Sequence, residues 1–132
     1  MGKVTDEMKE FINNLVKARM VGFVATASKD GIPNLVPKGS LGILDDDNLV
    51  FADFGSERTL NNIRENPKVS ATFVDVNKRK GYQFKGNAEI LDSGPVYDEI
   101  VRRIEAGPVK LPKPKYAVKI EIKEVYNIPS RV

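Results

Sequence analysis

Six apolar stretches of strand length, separated by turn signals or by short helical segments, limit what this chain can form. They run Val21–Ser28, Pro33–Leu44, Leu49–Phe54, Val69–Val76, Tyr82–Leu91 and Tyr116–Ile128. Lys29-Asp30-Gly31, Asp45-Asp46-Asp47-Asn48 and Asn77–Lys80 punctuate them. Such residues reverse a chain cheaply, because Gly adopts positive φ and Asp and Asn bond their own backbone. The first three stretches with their turns describe an antiparallel meander. The last alternates Val118, Ile120 and Ile122 with Lys119, Glu121 and Lys123, the pattern of a half-buried strand. Gly86 inside the fifth marks a bulge. Pro37 and Gly39 interrupt the second. The predicted fold is mainly β: a six-stranded antiparallel barrel, whose closure removes exposed edges.

Three helices flank these strands. Thr5 caps the first, over about residues 6–18, with Asp6 and Glu7 favouring its dipole and Met8, Phe11, Ile12, Leu15 and Val16 at helical spacing. The second, Ser56–Asn66, starts on Ser56 as cap and stops at Pro67. The third, Pro95–Ala106, places Val96, Ile100, Val101 and Ile104 on one face, and the Pro-rich Gly107–Pro114 connection follows. Phe54 and Phe73 are expected in the core.

The chain of 132 residues fits a single domain, residues 1–132. It contains no His and no Cys. That excludes a Ser-His-Asp triad, a thiol nucleophile, disulfides and zinc sites with N or S ligands. The Asp45–Asp47 cluster lacks the alternating ligands and glycine of a calcium loop, so it reads as a turn and no metal is expected. No apolar run reaches bilayer length, and MGKVTDEMKE lacks a signal-peptide core, so no membrane association and a cytoplasmic location are expected. Net charge is +3 with dispersed basic residues. Lys78-Arg79-Lys80 reads as a solvated hairpin tip, and no nucleic acid partner is expected, because aromatics are not interleaved with the basic residues.

The chemistry-bearing segment is LVFADFGSERTLNNIRENPKVSATFVD, Leu49–Asp75. It reads strand, glycine turn, helix, proline stop, strand. A helix N-terminus offers unpaired N–H groups and a positive dipole end, a natural cradle for phosphate. Arg58 and Thr59 lie in its first turn and add a permanent charge and a hydroxyl. Asn62 either bonds phosphate or braces the neighbouring loop. A chain without His or Cys that holds a phosphorylated cofactor can leave the redox chemistry to that cofactor.

With GFVATASKDGIPNLVPKG before this segment and GYQFKGNAEIL after it, the order of elements resembles the FMN-binding split barrel of the pyridoxamine 5′-phosphate oxidase-like family, in its small single-domain form. The carrying positions are Arg58, Thr59, Asn62, Asn66 and Pro67. The resemblance implies a split barrel and a homodimer with noncovalent FMN at the subunit interface. It implies that Arg58 and Thr59 hold the phosphate, with Ser56 and Asn62 beside them. It implies that Val36, Pro37, Lys38 and Gly39 run along the flavin, with Lys38 near its N1/O2 edge. Tyr82 and Gln83 of the partner subunit would cover the ring. The implied function is an oxidoreductase moving hydride or electrons to an unidentified small molecule or redox partner, with no catalytic acid or base assigned. The alternatives are a deazaflavin-dependent reductase of the same fold and a flavin-storage protein without turnover. True pyridoxamine phosphate oxidase activity is not expected: those enzymes carry further substrate-phosphate residues toward an aromatic-rich C-terminus, where this chain has Arg131 and no Trp.

Overall fold

The structure, a computed structural model, describes residues 2–128. Arg131 lies outside them. Three helices and seven strands follow in the order α1 (Asp6–Lys17), β1 (Gly22–Ala27), β2 (Pro33–Lys38), β3 (Gly42–Asp45), β4 (Asn48–Asp53), α2 (Glu57–Glu65), β5 (Lys68–Asp75), β6 (Lys80–Leu91), α3 (Pro95–Ala106) and β7 (Tyr116–Ile128).

All seven strands belong to one sheet in the order β2-β1-β5-β6-β7-β4-β3, and every pairing is antiparallel. The architecture is a split barrel. The expected six strands become seven because Pro33–Leu44 is not one strand. A turn at residues 39–41, closed by the Leu41 N–H donating to the Lys38 carbonyl at 3.1 Å, separates β2 from β3. β2 pairs with β1, whereas β3 pairs with β4 at the opposite edge of the sheet. Three residues of chain therefore join the two edge strands.

The barrel interior holds one core, including Val24, Leu49, Phe51, Phe73, Phe84 and Ile120. α1 packs Phe11, Ile12 and Leu15 onto it. As expected, Thr5 caps that helix, its hydroxyl accepting from the Met8 N–H at 3.2 Å. A second, smaller core lies between α3 and the outer face of β4 and β7, where Tyr97 and Ile100 meet Val50, Ala52 and Ala117. β4 is thus covered on both faces, which is why it reads as a nearly unbroken apolar run. The expected bulge in β6 is present: the β6–β7 register shifts at Lys85/Gly86. A Cβ on Gly86 would stand 2.0 Å from the Glu121 carbonyl oxygen, so only glycine fits there. Phe73 is in the core, but Phe54 is 40% exposed. It follows Asp53, past the end of the buried strand, and turns to a surface groove.

The basic hairpin tip is a turn, as its sequence suggests. The Asp75 carboxylate accepts the N–H groups of Asn77 and Lys78 there, and Arg79 adopts φ 55°. Asp45 works the same way in the β3–β4 turn, accepting from the Asp47 N–H and the Asn48 side chain. No helix among the described residues is long and apolar enough to cross a membrane.

Candidate functional site

The junction between β4 and α2 is organised by Asp53, whose side chain has no solvent exposure. Its Oδ1 accepts the N–H groups of Gly55 (2.7 Å) and Ser56 (2.8 Å). Its Oδ2 accepts from the Ser56 hydroxyl (2.8 Å) and from Lys38 Nζ (3.1 Å). Lys38 Nζ also donates to Ser56 Oγ at 2.6 Å and lies 5.2 Å from the centre of the Phe51 ring. Burial pushes the Asp53 carboxyl up, but the Ser56 and Gly55 N–H groups, the Ser56 hydroxyl and Lys38 together outweigh it and hold it below the usual carboxylate range.

This arrangement revises the role expected for Ser56. It occupies the cap position of α2, but its side chain makes no cap hydrogen bond. Its hydroxyl is engaged between Asp53 and Lys38 instead. The Asp53 carboxylate satisfies the turn, which Gly55 makes possible at φ 120°. Asp53 is a member of the site that its sequence context, at the end of an apolar run, conceals. The signal was the spacing Asp53-x-Gly55-Ser56, a carboxylate followed by a turn with N–H groups two and three residues on.

The N–H groups at the start of α2, on Glu57, Arg58 and Thr59, have no helical partner, as in any α-helix. Arg58 is exposed beside them. The Thr59 side chain is not: the residue is 1% exposed and its hydroxyl accepts from Asn34 Nδ2 at 3.4 Å. Thr59 therefore presents its N–H rather than its hydroxyl at the helix end. Asn62 braces the helix, its Nδ2 donating to Thr26 Oγ1 of β1 at 3.0 Å.

On β2, Pro37 is exposed and Val36 is half-buried opposite Val24 of β1, and Gly39, in the turn that follows, is exposed. A Cβ on Gly39 would meet only Val21, at 3.9 Å, so the surface there is open to an approaching group. Tyr82 and Gln83 part company. Tyr82 is 6% exposed and packs edge-on against Phe11, with ring centres 5.2 Å apart. It belongs to the barrel interior and cannot cover a ring in another subunit's cleft. Strand alternation is the cause: Tyr82 shares its face with Phe84, and Gln83 takes the outer face opposite Thr72 and Tyr126.

A groove of about 1200 Å³ opens beside this site. The stretch Pro37–Ile43 and the β4–α2 junction with Ser56 form part of its wall, and α1, α3 and the residues after each of these helices form the rest. Arg58, Thr59, Asn62 and Gln83 do not line it.

Fold and site together define a small split-barrel domain with a helix N-terminus and a lysine-bearing edge strand gathered around one buried carboxylate. The chain belongs to the pyridoxamine 5′-phosphate oxidase family, whose sequence profile it matches over residues 4–128. It is 38% identical over 130 residues to an uncharacterised protein of Methanocaldococcus jannaschii, covering 97% of this chain and 83% of that protein. Among solved structures it is similar to HupZ of Group A Streptococcus, at 31% identity and a TM-score of 0.83, covering 95% of this chain and 94% of the other. An FMN-binding protein of Syntrophomonas wolfei shares the fold at 22% identity and a TM-score of 0.76, over 93% of this chain and 87% of that one. An F420 reductase shares it at 20% identity and a TM-score of 0.65, over 86% and 94%.

Proposed function

We propose that this chain is an FMN-binding protein that holds the cofactor noncovalently, as a homodimer, and acts as an oxidoreductase. The observation that carries the reading is the start of α2, where unpaired N–H groups and the exposed Arg58 stand together beside the Asp53-fixed turn. This is the donor set that a phosphate monoester needs. Family membership and the FMN-binding protein of the same fold support it.

In this reading Arg58 and the α2 N–H groups bind the phosphate, and the open stretch Val36–Gly39 lies along the ring. Lys38 supplies a positive charge to the ring edge, its ammonium oriented by Asp53 and Ser56. Thr59 and Asn62 hold the helix in place. The flavin, when bound, supplies the hydride or electron chemistry, and the protein supplies binding, orientation and charge.

The homodimer is supported by the outer face of the sheet. Phe23, Leu35, Val74 and Tyr126 are all exposed there, an apolar surface of the kind that marks an interface. Gln83 shares that face, and this supports the reading in which Gln83 of the partner subunit covers the ring.

A deazaflavin in the same cleft is the second reading, favoured by the F420 reductase among proteins of this fold. An absorption spectrum of the protein purified from cells, with mass spectrometry of whatever denaturation releases, tests both. Flavin bands and released FMN support the first. A protein that is colourless and binds neither added FMN nor a deazaflavin overturns both. A single-chain mass in light scattering at micromolar concentration overturns the dimer.

A further inference from the structure

The groove beside the site has two properties that the cofactor reading does not use. Its walls expose large apolar side chains, and its charged lining has one sign. Val16, Val21, Phe54, Val109 and Leu111 are each 40–47% exposed, and all five line it. They come from three directions: α1 and the residues after it, the β4–α2 junction, and the segment after α3. The charged residues lining it are Lys9, Lys17, Arg19, Lys38, Arg102 and Arg103, and no Asp or Glu lines it. The chain as a whole is nearly balanced, with 21 basic and 18 acidic residues, so the bias is local.

Several of these cations have partners set back from the groove. Lys9 pairs with Asp46, and Lys38 with Asp53. Arg102 and Arg103 share the single carboxylate of Glu99, and Arg103 also donates to the Ile43 carbonyl at 2.9 Å. Lys17 and Arg19 have no ion-pair partner among the described residues. Lys17 has an ordinary reason to be there, since a cation in the last turn of a helix favours its dipole. Arg19 has none. It sits just past the helix, at φ 60°, where its N–H donates to Val16 and the next N–H, of Met20, to Leu15, both at 3.0 Å. That is the left-handed closing position of a helix, where glycine is the residue the fold prefers. An arginine is there at a cost to the backbone, on the wall of a groove without carboxylates.

We propose that this groove binds an organic anion with an apolar body, seated beside the cofactor cleft, with Lys17 and Arg19 meeting the negative charge. The apolar walls take the body, and Arg102 and Arg103 face it with surplus positive charge. At about 1200 Å³ the groove is somewhat larger than a usual drug-sized site and admits such a molecule. The position beside the cofactor rests on the FMN reading above, because Pro37, Lys38 and Gly39 are common to both sites. The anion site itself does not.

The test is isothermal titration of the purified protein with 2-naphthoate and with 2-naphthamide, a neutral probe of nearly the same shape. The variant is Lys17→Gln with Arg19→Gly, and the flavin content of each protein is read by absorption. Glycine suits the helix closure better than arginine, so this variant is expected to keep its melting temperature. Naphthoate should bind the unaltered protein at least tenfold tighter than the amide, and the double variant should lose at least tenfold in naphthoate affinity with its flavin content unchanged. Naphthoate should also shift the bound flavin spectrum. Equal affinity for the two probes, no binding of either, or no loss in the variant overturns the anion site while leaving the flavin reading intact. Charge-selective binding to a protein that neither carries nor takes up flavin upholds the anion site and overturns the cofactor reading. Binding without a spectral shift in the flavin-loaded protein overturns the placement beside the cofactor.

Discussion

The ammonium of Lys38 lies 3.1 Å from the carboxylate of Asp53, a bond that ties the edge strand β2 to the end of β4, next to the opposite edge of the sheet. The Asp53 side chain is fully buried and that of Lys38 is 12% exposed, so solvent does little to screen the pair. The same carboxylate holds the turn into α2. One residue thereby fixes both the charge and the helix end that the cofactor reading uses.

Removing it should be expensive. Asp53→Ala leaves the Lys38 ammonium without its carboxylate and two N–H groups without an acceptor. Loss of one partner of a buried pair costs about 3–5 kcal/mol. Urea denaturation should show a loss in that range for Asp53→Ala. Asp53→Asn keeps an oxygen for the turn and should lose less. An Asp53→Ala protein as stable as the unaltered one would show that the pair is not formed in solution.

Arg58→Ala should weaken FMN binding while leaving the fold intact, because the residue is exposed on α2. A charge-assisted contact is worth roughly 1.5–3 kcal/mol, or roughly ten- to a hundredfold in affinity. Fluorescence titration of the flavin-free protein measures it. Unchanged affinity in a well-folded variant removes Arg58 from the phosphate site.

Gly86→Ala should destabilise the barrel. The new Cβ would press on the Glu121 carbonyl, which is backbone and cannot swing aside. Forced overpacking of this kind costs roughly 1–3 kcal/mol. Gly31→Asn, in an open turn at φ 85°, is the matching control and should cost far less, since Asn tolerates that conformation. Thermal denaturation of the two variants distinguishes a packing constraint from general intolerance at glycine.

Acid should weaken the fold through Asp53. Its carboxyl titrates lower in the folded chain than in the unfolded one, so the unfolded chain binds more protons in between. The contribution is therefore complete above the ordinary carboxylate range and is lost as pH falls through the folded value. Glu99, held down to about 2 by hydrogen bonds from Arg102 and Arg103, has the same sign, but it lies near the surface, where solvent weakens the effect. The denaturation midpoint should be flat from neutral pH to about 5 and then fall. Asp53→Asn should flatten the acid limb.

The parts of the fold written in short-range chemistry were legible. Thr5 with its acidic first turn marked α1, Pro67 stopped α2, Gly86 marked the bulge, and the alternation after Tyr116 marked β7. What escaped depended on distant partners. Nothing local in Pro33–Leu44 says that its two halves pair at opposite edges of the sheet. Nothing in LVFADF says that Asp53 meets a lysine fifteen residues earlier. Tyr82 was misjudged although the signal was present: it shares period-two spacing with Phe84, which places it inside. The cationic groove was invisible for the same reason as the strand pairing, since its walls come from segments at both ends of the chain.

The three-residue link between β2 and β3 makes neighbours in sequence the most distant members of the sheet's order. No hydrogen-bonded ladder joins β2 to β3 among the described residues, so main-chain pairing does not close the barrel there. That seam borders the groove, through Pro37–Ile43. Side chains hold it shut instead, Lys38 on Asp53 and the Ser40 hydroxyl on the Ala52 backbone, so a change at either bond is felt both by the wall of the groove and by the closure of the barrel.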